Sequence, residues 1–172
     1  MPDFAIDPVF SVYQLLRRIY SGQMELRSRR MMTKISYTIE DITRVDAHRN
    51  RLFCGFQYFS KFSPQEQRYR QIAANAESVY VFGVADITPP AIPRITYVPL
   101  SPSDHMSREW FVISAGTAFN SALCAEERTS ITDPDHLREF SGLWTFDDNI
   151  IDILQEWLSS AVDAPPLRFA AQ

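Results

Sequence analysis

The side chains best suited to catalysis or metal binding are scattered along this chain. His48, His105 and His136 lie far apart, and no C-x-x-C or H-E-x-x-H spacing connects them with Cys54 or Cys124. The five glycines form neither a phosphate-binding loop nor a G-x-S-x-G elbow, both of which need glycine where the backbone turns sharply or approaches phosphate. We therefore predict no metal site, no catalytic residue and no enzymatic activity, and the sequence identifies no cofactor.

A glutamine and an arginine are the first candidate ligand contacts. Gln57 interrupts an otherwise apolar run, and a buried amide needs hydrogen-bond partners, either from the fold or from a ligand. Arg68 and Arg70 lie two residues apart on a predicted helix, so their side chains diverge and only one of them can face a cavity. We take Gln57 and Arg68 as candidate binding residues.

Arg108, Glu109 and Trp110 precede another apolar run and complete the candidate set. An arginine beside a tryptophan at the end of a sheet is suited to stacking and to anion binding. The same arrangement can simply finish the edge of a hydrophobic core, so a structural role stays open. We predict that Arg108 and Trp110 line the functional surface.

The distribution of charge argues against a nucleic-acid partner. The net charge is −4, and residues 104–172 contain four Lys/Arg against twelve Asp/Glu, whereas nucleic-acid binding needs a basic surface. The basic residues between 27 and 34 are a candidate phosphate patch, but a short run of this kind is typical of a solvated segment. We therefore expect a small-molecule ligand or a protein partner.

The composition predicts a soluble cytoplasmic protein. Apolar residues make up 45% of 172 residues, which is enough for the core of one domain. We expect neither export nor a membrane span, because the chain lacks a basic signal segment and any run of about 20 apolar residues. Cys54 and Cys124 lie inside apolar runs and are expected to be free buried thiols, with a disulfide between them as the alternative.

The first third of the chain predicts two helices joined by a linker. An Asp-Pro pair opens a helix over about 8–21, and Gly22 ends it. Residues 23–32 are polar and basic and are expected to form the linker. A second helix is predicted over about 34–48 from an apolar stripe at helical spacing.

Apolar runs farther along the chain predict a sheet. Leu52–Phe59 has almost no polar face, so we expect it in the centre of the sheet with both faces covered. Ser63 and Glu66 fit a capping box that starts a helix, and residues 118–125 fit either a strand or a short helix. The remaining strands are expected at 79–84, 95–100, 110–114 and 140–146, and a last helix after a cap at 145–148.

These elements predict a mixed α/β (α+β) fold. The strand–helix–strand unit over 52–84 is expected to be parallel and right-handed, and the later strands, which have shorter links, to be mostly antiparallel. Pro99 places the strand at 95–100 near an edge. The result is a central mixed sheet of about five strands covered by helices, with an amphipathic N-terminal helix.

Four segments carry a resemblance to a known family. They are GFQYFSKFSPQEQRYRQIA (55–73), VYVFGVAD (79–86), REWFVISAGTAFNSALCAEE (108–127) and FSGLWTFDDNIIDIL (140–154). Their order and composition resemble the DICT sensory domain, which is named for its occurrence with diguanylate cyclases and two-component systems. The resemblance implies a bacterial input module and carries over no ligand or catalytic residue. It divides the chain into an N-terminal helix and linker (1–32), a sensory domain (33–163) and a loose tail (164–172).

We predict a stand-alone signal-transduction module that binds a small ligand or a protein partner without catalysis. One alternative is an adaptor or transcription-related regulator without a ligand pocket, which would have a large exposed apolar patch and no cavity. Another is an enzyme whose residues converge only in three dimensions, which would have a carboxylate of raised pKa beside Arg108.

The N-terminal helix is the expected interface of a homodimer. A helix this short is marginally stable alone in water, so its apolar stripe has to be covered. The linker after it is long enough to place it on a neighbouring subunit; in the alternative, the helix folds back onto its own sheet. The stripe consists of Val9, Val12, Leu16, Ile19 and Tyr20.

Overall fold

The computed structural model describes residues 6–162, and its centre is a seven-stranded mixed sheet. The strands are β1 (Glu25–Ser28), β2 (Arg51–Tyr58), β3 (Ser78–Val84), β4 (Ile95–Leu100), β5 (Glu109–Ala115), β6 (Ser121–Glu127) and β7 (Glu139–Thr145). They lie in the order β1-β7-β6-β5-β2-β3-β4. The mixed α+β class is confirmed, with seven strands where about five were expected.

Helices cover both faces of the sheet. They are α1 (Val12–Ile19), α2 (Arg29–Arg44), α3 (Phe59–Phe62), α4 (Glu66–Asn75) and α5 (Asp148–Ala161), with 3-10 turns at Ser63–Gln65, His105–Arg108 and Asp135–Leu137. One core lies between the sheet and α2, α3 and α4, and a second lies between the sheet and α1 and α5. No helix in the described part of the chain has the length and apolar character that crossing a bilayer requires. The predicted tail, 164–172, lies outside the described residues.

β2 is the central strand that its apolar sequence predicts. It pairs in parallel with β3 and antiparallel with β5, so the predicted parallel pairing of the strand–helix–strand unit is confirmed. Successive side chains of a strand point to opposite faces. Leu52 and Cys54 accordingly pack in the core on the α2 side, whereas Phe53 packs in the core on the α5 side. Cys54 and Cys124 are both free and buried.

β4 lies at one edge of the sheet, as Pro99 predicts, but it runs parallel to β3. A parallel pair needs a long crossover, and the proline-containing segment 85–94 supplies one without a helix. The expectation that a link without a helix gives an antiparallel pair is therefore wrong for β3 and β4. The later strands β5, β6 and β7 are antiparallel, as expected, and residues 118–125 fall mostly in strand β6.

The predicted linker over 23–32 is wrong, because it contains β1 and the start of α2. β1 is an edge strand whose residues are largely exposed, so it shows no apolar pattern. Its antiparallel pairing with β7, Leu26 opposite Ser141, defines it instead. α2 then begins at Arg29, five residues earlier than expected, where the Ser28 hydroxyl accepts a hydrogen bond from the backbone N–H of Met31.

α1 begins at Val12 rather than near residue 8. Ser11 caps it by accepting a hydrogen bond from the backbone N–H of Gln14, whereas Asp7 accepts one from Val9 in a preceding turn. The helix packs on the sheet of its own chain, which is the alternative to packing on a neighbouring subunit.

The apolar stripe of α1 is divided between the core and the surface. Val12 and Leu16 are buried beside α5, β5 and β6, Ile19 and Tyr20 are partly buried, and Val9 is 74% exposed. A homodimer through this helix stays a prediction. Val12 and Leu16 could contribute to it only by leaving the core of their own chain.

Two short helices follow β2 where a single helix starting at Ser63 was expected. Phe59 and Phe62, three residues apart, are both buried, and a helical turn brings such a pair to one face. Ser63 makes no capping hydrogen bond and α4 begins at Glu66, so the predicted capping box is absent. The cap of α5 is confirmed, since the Asp147 carboxylate accepts hydrogen bonds from two backbone N–H groups of the first turn.

Candidate ligand-binding cavity

A cavity of about 460 Å³ opens between α2 and the sheet. β2 and β5 form its floor, and its rim includes α3, the following 3-10 turn and residues just before β7. This volume is in the range of small-molecule sites. The lining residues are Arg29, Thr33, Ser36, Tyr37, Glu40, Gly55, Phe56, Gln57, Ser60, Lys61, Pro64, Gln65, Trp110, Val112, Asp135 and Arg138.

Three aromatic side chains give the cavity flat walls. The indole N–H of Trp110 donates a hydrogen bond to the Ser36 hydroxyl, with 3.0 Å between nitrogen and oxygen. The phenol of Tyr37 donates to Oε1 of Gln65 at 3.1 Å, and Phe56 packs edge-on against two further aromatic rings of the core. The protein itself therefore holds these rings in position.

Gln57 enters the cavity through an irregularity in β2. The pairing of β2 with β3 shifts register between Gly55 and Tyr58, and Gln57 has a φ of 67°, a left-handed conformation that non-glycine residues seldom adopt. Its buried amide is satisfied by the fold, since Nε2 donates to Oε1 of Glu127 at 2.9 Å and Oε1 accepts from Arg138 at 2.7 Å. Bulges of this kind redirect a side chain.

Arg138 is the principal cavity residue that sequence reasoning missed. Only 2% of its side chain is exposed. It binds Glu127 through two hydrogen bonds, from Nε at 2.9 Å and from Nη2 at 3.0 Å. Burial acts to raise the pKa of Glu127, but hydrogen bonds from Arg138, Thr129 and Gln57 hold that pKa below its ordinary value. Arg138 lies in a polar segment whose sequence predicts a solvated loop, so no local pattern indicates its burial.

Glu40 is a buried carboxyl group in the cavity wall. Its two oxygens accept hydrogen bonds from Arg68 Nε at 2.8 Å and from the Tyr69 hydroxyl. Burial raises its pKa even though both hydrogen bonds act to lower it, and burial also raises the pKa of Tyr69 well above its ordinary value. Glu40 lies largely off the apolar stripe of its helix, so the sequence does not mark it as buried.

Arg68 contacts residues of α2 but does not line the cavity. Besides Glu40, it binds the Asp41 carboxylate at 2.6 Å and the backbone carbonyl of Tyr37 at 3.0 Å. Its guanidinium also lies 3.9 Å from the centre of the Tyr37 ring. Arg70 instead pairs with Glu66 on the exposed side of α4, so the two arginines diverge as expected. Arg68 thus positions two side chains of the cavity wall.

Arg108, Glu109 and Trp110 do not form a single site. Arg108 lies in the 3-10 turn before β5, and Glu109 and Trp110, as neighbouring strand residues, face opposite sides of the sheet. Trp110 lines the cavity. Arg108 is exposed and donates to the backbone carbonyl of Glu127 at 3.2 Å. Glu109 is buried under α1, where it accepts hydrogen bonds from the Ser11 hydroxyl at 2.6 Å and the backbone N–H of Tyr13 at 3.0 Å.

The mouth of the cavity carries opposite charges. Nε of Arg29 lies 3.6 Å from Oδ1 of Asp135, and Nη1 of Arg138 lies 3.6 Å from the same oxygen. Both distances exceed that of a hydrogen bond. Lys61 is exposed at the rim and makes no ion pair with any residue between 6 and 162.

The described residues of the cavity offer no metal site, and its buried carboxyl group is hydrogen-bonded within the protein. Within residues 6–162, no group of three or more His, Cys, Asp and Glu could hold a metal ion. The cavity does contain a carboxyl group of raised pKa, but this group is Glu40, and it stands beside Arg68 rather than Arg108. Both oxygens of Glu40 are engaged by protein donors.

One family model matches residues 9–128 of the chain, and its description is the sensory domain in diguanylate cyclases and two-component systems, DICT. No curated protein and no solved structure matches the chain. The matched region runs from before α1 to the end of β6 and includes every cavity-lining residue except Asp135 and Arg138. Because the match covers more than half of the sequence, the chain belongs to the DICT family of sensory domains.

Proposed function

We propose that this sensory domain is non-catalytic and binds a small organic ligand in the cavity between α2 and the sheet. The observation that carries the proposal is a cavity of about 460 Å³ with aromatic walls and buried polar groups in a chain of a sensory family. Sites for small molecules typically combine apolar walls with a few placed polar groups.

The hydrogen bonding of the charged cavity residues favours binding over catalysis. The two oxygens of Glu40 accept from Arg68 and Tyr69, and Glu127 behind the cavity is bound by Arg138. A general base must reach the proton that it removes, and Glu40 and Glu127 are both engaged by protein donors. The third carboxylate, Asp135 at the mouth, lies 3.6 Å from two arginines. A protein partner that receives the signal, a homodimer and a cytoplasmic location stay predictions from the sequence.

Two tryptophan substitutions on α2 test the proposal. Thr33 lines the cavity and Thr38 is exposed on the same helix, and each donates its hydroxyl to the carbonyl four residues earlier. Both substitutions therefore remove the same local hydrogen bond, but only Thr33→Trp fills the cavity. We expect protein purified from the organism that encodes it to retain a small molecule, which native mass spectrometry detects in Thr38→Trp but not in Thr33→Trp.

Two outcomes of this experiment would contradict the proposed ligand site. If the unaltered protein and both variants carry no small molecule, and Thr33→Trp signals as well as Thr38→Trp, the cavity has no ligand and the adaptor alternative is favoured. Equal retention by the two variants would place the ligand elsewhere in the molecule.

A further inference from the structure

We propose that the ligand of this cavity is a planar aromatic compound with one anionic group, a carboxylate or its equivalent, and that Arg138 and Arg29 bind the anion. This inference rests on the proposed function and names its ligand class.

Arg138 lines the cavity and has one guanidinium nitrogen, Nη1, that forms no hydrogen bond within the described chain. Its Nε and Nη2 atoms bind Glu127 and Gln57. Its Nη1 makes no hydrogen bond with any side chain or carbonyl of the described chain, and it lies 3.6 Å from Oδ1 of Asp135. A guanidinium N–H is a strong donor to a carboxylate oxygen.

Asp135 occupies the place that the anion would take. Its carboxylate lies 3.6 Å from both Arg29 and Arg138, too far for a hydrogen bond to either. Its side chain is 56% exposed and belongs to a 3-10 turn at the surface. It can therefore swing into solvent at low cost, and the ligand's anion would replace it between the two arginines.

The remaining charges at the cavity also favour an anion. Lys61 is exposed on the rim without an ion-pair partner in the part of the chain that the structure describes. The carboxyl group of Glu40 is bound by Arg68, so its charge is compensated behind the wall. An unpaired ammonium at the entrance attracts and retains an acid better than a base.

The aromatic walls of the cavity favour a planar ring as the remaining part of the ligand. Trp110, Phe56 and Tyr37 present rings, and contacts inside the protein fix their positions. Rigid aromatic walls favour a flat ring that can lie against them. The hydroxyl of Ser36, a lining residue, accepts from Trp110, which leaves the hydroxyl hydrogen available as a further donor.

A matched pair of probes separates the anion from the ring. 2-Naphthoate and 2-naphthamide have the same shape, but only the first is an anion. We expect calorimetric titration to show the acid binding about tenfold more tightly than the amide, because only the acid forms a charge-assisted hydrogen bond with arginine. Arg29→Gln should remove most of this preference, whereas Arg30→Gln, an exposed neighbour outside the cavity, should preserve it.

The role of Asp135 gives the sharpest test, because its removal should improve binding. We expect Asp135→Asn to bind the acid more tightly and the amide equally, whereas Glu139→Gln, which removes an exposed charge outside the cavity, should change neither affinity.

The contrary outcomes are distinct from each other. Equal affinities for acid and amide, both abolished by Thr33→Trp, would overturn the anion inference and leave the cavity as a ligand site. Binding of neither probe would overturn the inference, and it would overturn the proposed function as well if no small molecule is retained from the encoding organism.

Discussion

Gln57 keeps an unfavourable backbone conformation because a buried ion pair holds its amide. Its φ of 67° is of the kind that persists only where surrounding contacts enforce it. Arg138, which directly precedes β7, and Glu127, at the end of β6, supply those contacts. This network gives the floor of the cavity a fixed set of donors and acceptors, so we expect its members to affect stability.

We expect Arg138→Gln to destabilise the protein by about 3 kcal/mol or more, because it leaves the Glu127 carboxylate buried without its partner. The double variant Arg138→Gln/Glu127→Gln removes both charges and should recover part of the loss. Urea unfolding of the two variants and the unaltered protein measures this coupling. A double variant that is less stable than Arg138→Gln by the full cost of a second independent change would contradict the role assigned to the pair.

At the scale of elements, α1 is attached to the sheet through a buried carboxyl group. Glu109 of β5 accepts hydrogen bonds from Ser11 and Tyr13 at the N-terminus of α1. Burial raises the pKa of Glu109 to about 7, with the charge of Glu126 as a smaller cause in the same direction, while the hydrogen bonds act to lower it. Val12 and Leu16 then cover the sheet beside it.

This contact predicts a pH dependence of stability. Between the ordinary pKa of 4.5 and the folded value of about 7, the folded protein binds more protons at Glu109 than the unfolded chain does. The stabilisation contributed by neutral Glu109 is therefore fully present below about pH 4.5 and is lost as the pH rises through about 7, by at most on the order of 3 kcal/mol.

Glu109→Gln isolates this effect, because glutamine does not titrate. Urea unfolding across this pH range should show the unaltered protein losing stability relative to Glu109→Gln as the pH rises. A difference that stays constant, or that changes in the opposite direction, would show that the N-terminus of α1 stabilises the charged form at least as much as burial disfavours it.

For the molecule as a whole, the sequence predicts the elements whose own residues determine them. The apolar run of β2 indicates a strand covered on both faces, and Asp147 indicates the start of α5, because each signal is local. β1 is missed because its exposed residues show no pattern and its partner Ser141 lies far away in the chain. An edge strand of this kind is defined by backbone pairing, which composition does not record.

The cavity was predictable only in part for the same reason. Gln57 stood out as a polar residue in an apolar strand, and Trp110 as an aromatic residue near a strand end; both line the cavity. Arg138 becomes buried only when strands β6 and β2 bring Glu127 and Gln57 to it. Arg108 and Glu109 were chosen as neighbours of Trp110, and the alternation of the strand directs Glu109 to the opposite face.

The central claim is that a small molecule occupies the cavity between α2 and the sheet, and the indole N–H of Trp110 reports on it directly. The chain has three tryptophans, and Trp144 and Trp157 do not line the cavity. The measurement compares NMR spectra of protein purified from the encoding organism before and after unfolding, dialysis and refolding. We predict that the Trp110 indole resonance moves while the other two stay in place. An unchanged Trp110 resonance, or movement of the other two alone, would contradict the claim.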